Sequence, residues 1–115
     1  AARGFLAGED APWIEEQRRR LEEIHARALE LVGRACLEIG GSELDTAERS
    51  ARTLIAKAPY RESGHRLLME ALAARGNPAE ALVVYEELRR RLRDELGATP
   101  APETQALHRS LLGPT

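Results

Sequence analysis

A chain of 115 residues, 43% hydrophobic and 31% charged, has room for one core and one domain. Its formal charge of -2, from 17 basic and 19 acidic side chains, argues against a nucleic-acid role, because such affinity rests largely on neutralised phosphates. No apolar run approaches the length of a membrane span, and the lone cysteine, Cys36, leaves no internal disulfide.

Phe, Trp and Tyr together make up only 3%, while Ala, Leu, Glu and Arg dominate, a helix-forming composition. The chain opens on Ala1-Ala2-Arg3-Gly4 without an initiator Met, as expected of an excised segment. Residues 1–10 read as a Gly-containing lead-in. Asp10 or Ala11 is a candidate cap and Pro12 suits a first turn, so a long helix is expected over about 12–39. One stripe of it holds Ile14, Leu21, Ile24, Ala28, Leu31 and Ala35. Pairs such as Glu15 with Arg19, Glu16 with Arg20, Glu23 with Arg27 and Glu30 with Arg34 fall on the side expected to be exposed, which leaves the stripe to pack.

Gly40-Gly41 ends that helix, and Ser42 with Asp45 resembles a capping box for a second one over about 44–58, stopped by Pro59. A third is expected over about 62–75, with Leu68, Met69 and Leu72 inward and Gly76 as its stop. Asn77-Pro78-Ala79-Glu80 is a strong start signal, with Asn77 as cap, Pro78 at the first position and Glu80 reaching back. The fourth helix then covers about 78–96, and a fifth about 102–112 after a Pro-containing turn. The expected fold class is all-α: about five helices in antiparallel pairs, the fifth capping the open end.

A repeat lies across these elements. Ala47, Ala51, Leu54 and Ala58 recur 34 residues later as Ala81, Tyr85, Leu88 and Leu92. That is the period of the tetratricopeptide repeat, a helical pair that stacks into a solenoid and usually binds other proteins.

Chemistry-bearing constellations are missing from the pattern. His25, His65 and His108 fall on different helices without metal-ligand spacing, and no phosphate loop, nucleophile elbow or cysteine pair occurs. No catalytic, cofactor-binding or metal residue is expected, and the chain does not read as an enzyme. Arg18-Arg19-Arg20 and Arg89-Arg90-Arg91 fan around their helices beside acidic neighbours, as solvated faces do. Cys36 reads as a small core residue, and a lone thiol fits a reducing, cytoplasmic setting.

The run from Pro59 to Leu112 carries a more specific signal: E-x-x-H-R-L-L-M at Glu62 to Met69, G-x-x-x-E-A-L at Gly76 to Leu82, Tyr85-x-x-Leu88, E-L-G at Glu95 to Gly97 and P-x-P-E at Pro100 to Glu103, ending in Ala106-Leu107-His108. Upstream stand Arg3-Gly4-Phe5-Leu6 and Asp10-Ala11-Pro12-Trp13. In order and spacing the chain resembles the bacterial transcriptional activation domain of the Streptomyces antibiotic regulatory protein family, the AfsR-type regulators. The resemblance implies a tetratricopeptide-like module that supports activation by interdomain contact, self-association or contact with the transcription machinery. The winged-helix DNA-binding domain that precedes it in such regulators is absent from this chain, so DNA recognition is assigned to no residue. Position 101 is Ala where the family favours a Ser cap, and the fifth helix is expected to fray there.

By repeat logic the first helix of each pair lines the concave surface. Candidate partner-binding residues are Arg27, Arg34 and Glu38 on the first helix, and His65, Arg66, Met69, Glu70 and Ala73 on the third. The N-terminal half of the first helix, around Trp13, Ile14 and Leu21, is expected to overhang the second, and Trp13 is a candidate anchor there for a second copy or the missing N-terminal domain; the alternative is that Phe5-Leu6 folds back over it. The partner class is protein, with no nucleic acid and no membrane. A second reading is a free-standing adaptor repeat, or the repeat region of a signalling ATPase.

Overall fold

The glycine pair and the prolines set where this chain turns. The computed structural model describes residues 2–113, and for 2–11 the backbone only. Helix α1 runs Ala2–Ile39. Gly40 and Gly41 follow with φ of 75° and 55°, values open to glycine at little cost, and a single 3₁₀ turn Gly41–Glu43 leads into α2, Leu44–Lys57. Helix α3 spans Glu62–Ala74, α4 Pro78–Leu96 and α5 Pro102–Leu111. No strand occurs among the described residues. Consecutive helices pack in order, α1 also touches α3, and α5 packs on both α3 and α4.

The 34-residue echo maps onto packing positions. Ala47, Ala51 and Leu54 of α2 and Ala81, Tyr85, Leu88 and Leu92 of α4 are all buried, while Ala58, the fourth position of the first copy, falls just past α2 as its C-cap and is half-buried. Between them α3 contributes Leu67, Leu68, Met69, Ala71 and Leu72. Leu37, Ile55, Leu107 and Leu111 pack on this cluster from its edges.

Helix α1 departs from expectation twice. The residues expected as a lead-in continue the helix back to Ala2. Ala2, Leu6, Ala7 and Ala11 favour helix, while Pro12, with no amide hydrogen, removes one bond of the ladder without ending it. A continuous helix does not reverse over Trp13; the Phe5 and Leu6 side chains lie outside the described residues. The second departure concerns which side packs. Leu21, Ile24 and Leu31 of the expected packing stripe are 66%, 62% and 71% exposed. The buried face of α1 is instead built on Ala26 and Gly33, about half a turn away. Small residues win there because the helices approach closely: a Cβ at Gly33 would sit 2.3 Å from Cδ2 of Leu67.

Local caps are weaker than expected and tertiary ones stronger. The 3₁₀ turn absorbs Ser42, so the Ser42–Asp45 box does not form; Glu43 is the N-cap of α2, without a side-chain bond. Asn77 and Pro78 hold their expected positions, but no side chain closes that cap, and Glu80 points instead to Arg52 at 3.6 Å. At α5 the missing local cap is replaced from α3. The Glu62 carboxylate accepts from the Ala101 amide at 3.0 Å and from the Thr104 hydroxyl at 2.7 Å.

Candidate protein-interaction surface

The α1–α3 face is laced by ion pairs. Arg34 on α1 makes a two-pronged bond to Glu70 on α3, at 3.1 and 3.3 Å, which holds its guanidinium above its ordinary pKa. Arg61, at the entry to α3, bonds Glu23 at 3.1 and 3.2 Å and Glu30 at 3.1 Å, tying α1 to the α2–α3 turn. Both clusters are partly exposed, and pairs of this kind contribute about 0.2–1 kcal/mol each. Their effect is to fix the register of α1 against α3. On the other side of the pair, Arg75 holds Asp45 and Glu48 at 3.3 and 2.9 Å.

The proposed partner-binding residues separate into three groups. Trp13, Arg27 and Glu38 are exposed on α1. Arg27 and Arg34 line one shallow cleft with Glu30, Leu31 and Arg61. Arg34, Glu70 and Arg66 are already engaged; Arg66 donates to Thr104 at 2.9 Å and lies 3.7 Å from Glu103. Ala73 is half-buried beside them.

His65 and Met69 correct the sequence reading. Met69 is fully buried and His65 is 5% exposed, so neither side chain is presented to a partner. Nε2 of His65 lies 2.8 Å from the Pro59 carbonyl, which fits a neutral ring donating to it. Burial pushes the His65 pKa down, nearby Arg91 adds to this, and the Pro59 bond, Glu62 and Glu87 oppose it. Helix α3 is the central helix of the stack, buried on several sides, so its inner surface is core rather than a groove wall.

An apolar stripe runs along the outward side of α1, at the expected overhang and beyond it. Ile14, Leu21, Ile24 and Leu31, with Ala28 and Ala35, are all exposed there, and Trp13 is 64% exposed at its N-terminal end. The three-four spacing carries this stripe in the sequence; beyond the overhang, Ile24, Ala28, Leu31 and Ala35 face outward where packing is expected. Among the described residues no group of His, Cys, Asp and Glu is placed to hold a metal ion, and no helix is long and apolar enough to cross a membrane.

Comparison with known proteins gives a consistent outcome. The family described as "Bacterial transcriptional activator domain" matches residues 3–112. The chain is 40% identical over 107 residues to the Regulatory protein AfsR of Streptomyces griseus. It is 41% identical over 107 residues to the protein of the same name from Streptomyces coelicolor. Each alignment covers 93% of this chain and 11% of the relative, so the chain spans about one-ninth of the length of these relatives. No solved structure matches.

Proposed function

The chain belongs to the bacterial transcriptional activator domain family, and on that premise we propose that it works by protein–protein contact, as the helical interaction module of a longer cytoplasmic regulator. Its role there is to join the parts of the activator, or the activator and the transcription machinery, and not to contact DNA itself. The observation that carries this reading is the outward apolar face of α1 above a body whose other polar surface is largely ion-paired. Contiguous exposed apolar side chains along one helix face are the kind of surface that marks an interaction site. The near-neutral charge and the acid-paired arginines support the exclusion of DNA.

The test uses the full-length regulator with this segment deleted. Promoter activation in a reporter is expected to fall to background, while the remaining protein keeps its binding to promoter DNA in a gel shift. Activation at the parent level after deletion would overturn the reading. So would submicromolar, sequence-dependent binding of duplex DNA by the chain alone.

A further inference from the structure

Helices α2 and α4 both pack on α3 without their backbones meeting, and a cleft of about 170 Å³ opens between them. Its floor is Leu68 and Val84, both buried, beside half-buried Ile55 and the ring of His65. Two links bracket it along α4. Arg52 of α2 reaches Glu80 at 3.6 Å, and the Tyr60 hydroxyl bonds the Glu95 carboxylate. Glu80, Val84, Glu87, Arg91 and Glu95 follow at three- and four-residue steps, so both links and the wall between them share one face of α4. The cleft is bounded at its two ends, as a pocket for a small molecule is and a groove for a passing chain is not.

Three polar groups in it are uncommitted. Glu87 and Arg91 stand one turn apart in the order that favours an ion pair. Neither has an ion-pair partner within 4.0 Å among the described residues. Their neighbours do: Arg52 is held by Glu48 at 3.0 Å, Arg90 by Glu86 at 3.5 Å and Arg93 by Asp94 at 3.0 Å. The third group is on His65, whose side chain is 95% buried by its 5% exposure. With Nε2 donating to the Pro59 carbonyl, Nδ1 is an acceptor, and it has no partner among the described residues. No buried side-chain nitrogen or oxygen is left unsatisfied there, so Nδ1 meets solvent, in the cleft that the ring lines. It lies too deep for a protein surface, but a small molecule seated in the cleft reaches it. Burial and nearby Arg91, against Glu62 and Glu87, keep the ring neutral at pH 7.

We propose that this cleft binds a free amino acid with a short aliphatic side chain. Its carboxylate lies on Arg91, its ammonium donates to Glu87 and to Nδ1 of His65, and its side chain rests on Ile55, Leu68 and Val84. The complement follows from what the cleft displays: one open cation, one open anion, one acceptor and an apolar floor. A simple anion leaves Glu87 facing it, a simple cation leaves Arg91 facing it, and a neutral apolar molecule uses neither. Size limits the class further. The volume is that of about six waters at about 30 Å³ each, below the roughly 300 Å³ at which sites for drug-sized ligands begin. Because the ligand touches α3 and α4 beside the links to α2, its binding stabilises that packing by mass action. The site is separate from the outward face of α1 and adds a small-molecule input to the interaction module without resting on it.

Titration calorimetry of the chain with glycine, L-alanine, L-valine and L-leucine is the test. Saturable one-to-one binding is expected, tightest for L-valine or L-alanine, with a melting temperature that climbs with ligand concentration. Isovalerate, which is valine without its ammonium, and isobutylamine, which is valine without its carboxylate, are each expected to bind at least tenfold more weakly. Arg91→Gln and Glu87→Gln are each expected to weaken L-valine at least tenfold. Both side chains are exposed, so the far-UV circular dichroism and the ligand-free melting temperature are expected to stay at the parent's. The ¹⁵N resonance of His65 Nδ1 is expected to shift on titration while Nε2 keeps its proton. No saturable binding of any of the four amino acids at millimolar concentration overturns the proposal. So does isovalerate or isobutylamine binding as tightly as L-valine, or affinity that both glutamine variants leave unchanged. None of these results touches the deletion experiment, so failure of the site and failure of the module reading are told apart.

Discussion

Thr104, buried in the first turn of α5, donates its hydroxyl to the carboxylate of Glu62 in the first turn of α3, 2.7 Å away and 42 residues earlier in the chain. The same carboxylate accepts from the Ala101 amide, and Arg66, one turn on from Glu62, donates back to Thr104. In a capping box the third residue of a helix reaches back to the cap amide; here that residue is Thr104 and α3 supplies the acceptor.

Replacing Glu62 therefore acts at a distance. Glu62→Ala leaves a buried hydroxyl and a helix-start amide without an acceptor, expected to cost about 1–3 kcal/mol. The loss is expected to appear first in α5: amide hydrogen exchange over 102–111 should rise more than exchange in α2. In that background Ala101→Ser, which restores a local cap, is expected to recover part of the stability, about 0.5–1 kcal/mol. Uniform exchange across all helices would show that α5 does not depend on this link.

Leu88 and Leu21 give a matched pair of leucines on the two kinds of face. Leu88 is fully buried on α4, and Leu88→Ala is expected to cost about 2–5 kcal/mol. Leu21→Ala is expected to change the stability of the single copy by less than about 0.5 kcal/mol. Denaturant titration at low protein concentration checks both. Equal losses would mean that Leu21 belongs to the core.

Gly33→Ala tests the close approach of α1 to α3. Alanine gains up to about 1 kcal/mol in helix propensity. Its methyl would collide with the Leu67 side chain, itself buried, and overpacking of this kind costs about 1–3 kcal/mol. A net loss is expected. Adding Leu67→Ala opens the space, so Gly33→Ala in that background is expected to be neutral or stabilising. A favourable Gly33→Ala in the parent would show that Leu67 yields without penalty.

His65 sets a limit on the acid side. Burial holds its folded-state pKa below the unfolded value near 6.5. As pH falls through about 6.5 the unfolded chain takes up the proton and the folded one resists, so stability present above that pH is lost progressively below it. His65→Gln keeps a donor for the Pro59 carbonyl and removes the titration. Its melting temperature is expected to fall less between pH 7 and pH 5 than the parent's. Parallel curves would assign the acid sensitivity elsewhere.

Much of this architecture was legible locally. The 34-residue echo marked the packing positions of α2 and α4, and prolines and glycines fixed the ends of α2 to α5 to within a residue or so. Two things were not legible for a common reason. Large apolar residues read as core, yet on α1 the core face is made of Ala26 and Gly33, whose smallness matters only once Leu67 is opposite. Likewise His65 and Met69 were placed on an open surface because the repeat analogy assigns α3 a concave side; with α1, α4 and α5 all packed on α3, that side is filled. Similarly, the Ala at position 101 signals fraying only while Glu62 is out of view.

The bond between Thr104 and Glu62 also says where the unit may be cut. Gly97, with its left-handed turn and the prolines beyond it, looks like the natural seam between a repeat pair and whatever follows. It is not one. A chain ended there strands Glu62, strips His108 from the face of Tyr85, where the rings stack 3.9 Å apart, and uncovers the edge that Leu107 and Leu111 shield. For anyone trimming, fusing or transplanting the module, α5 travels with α3, and a junction placed at Gly97 divides a single cooperative piece.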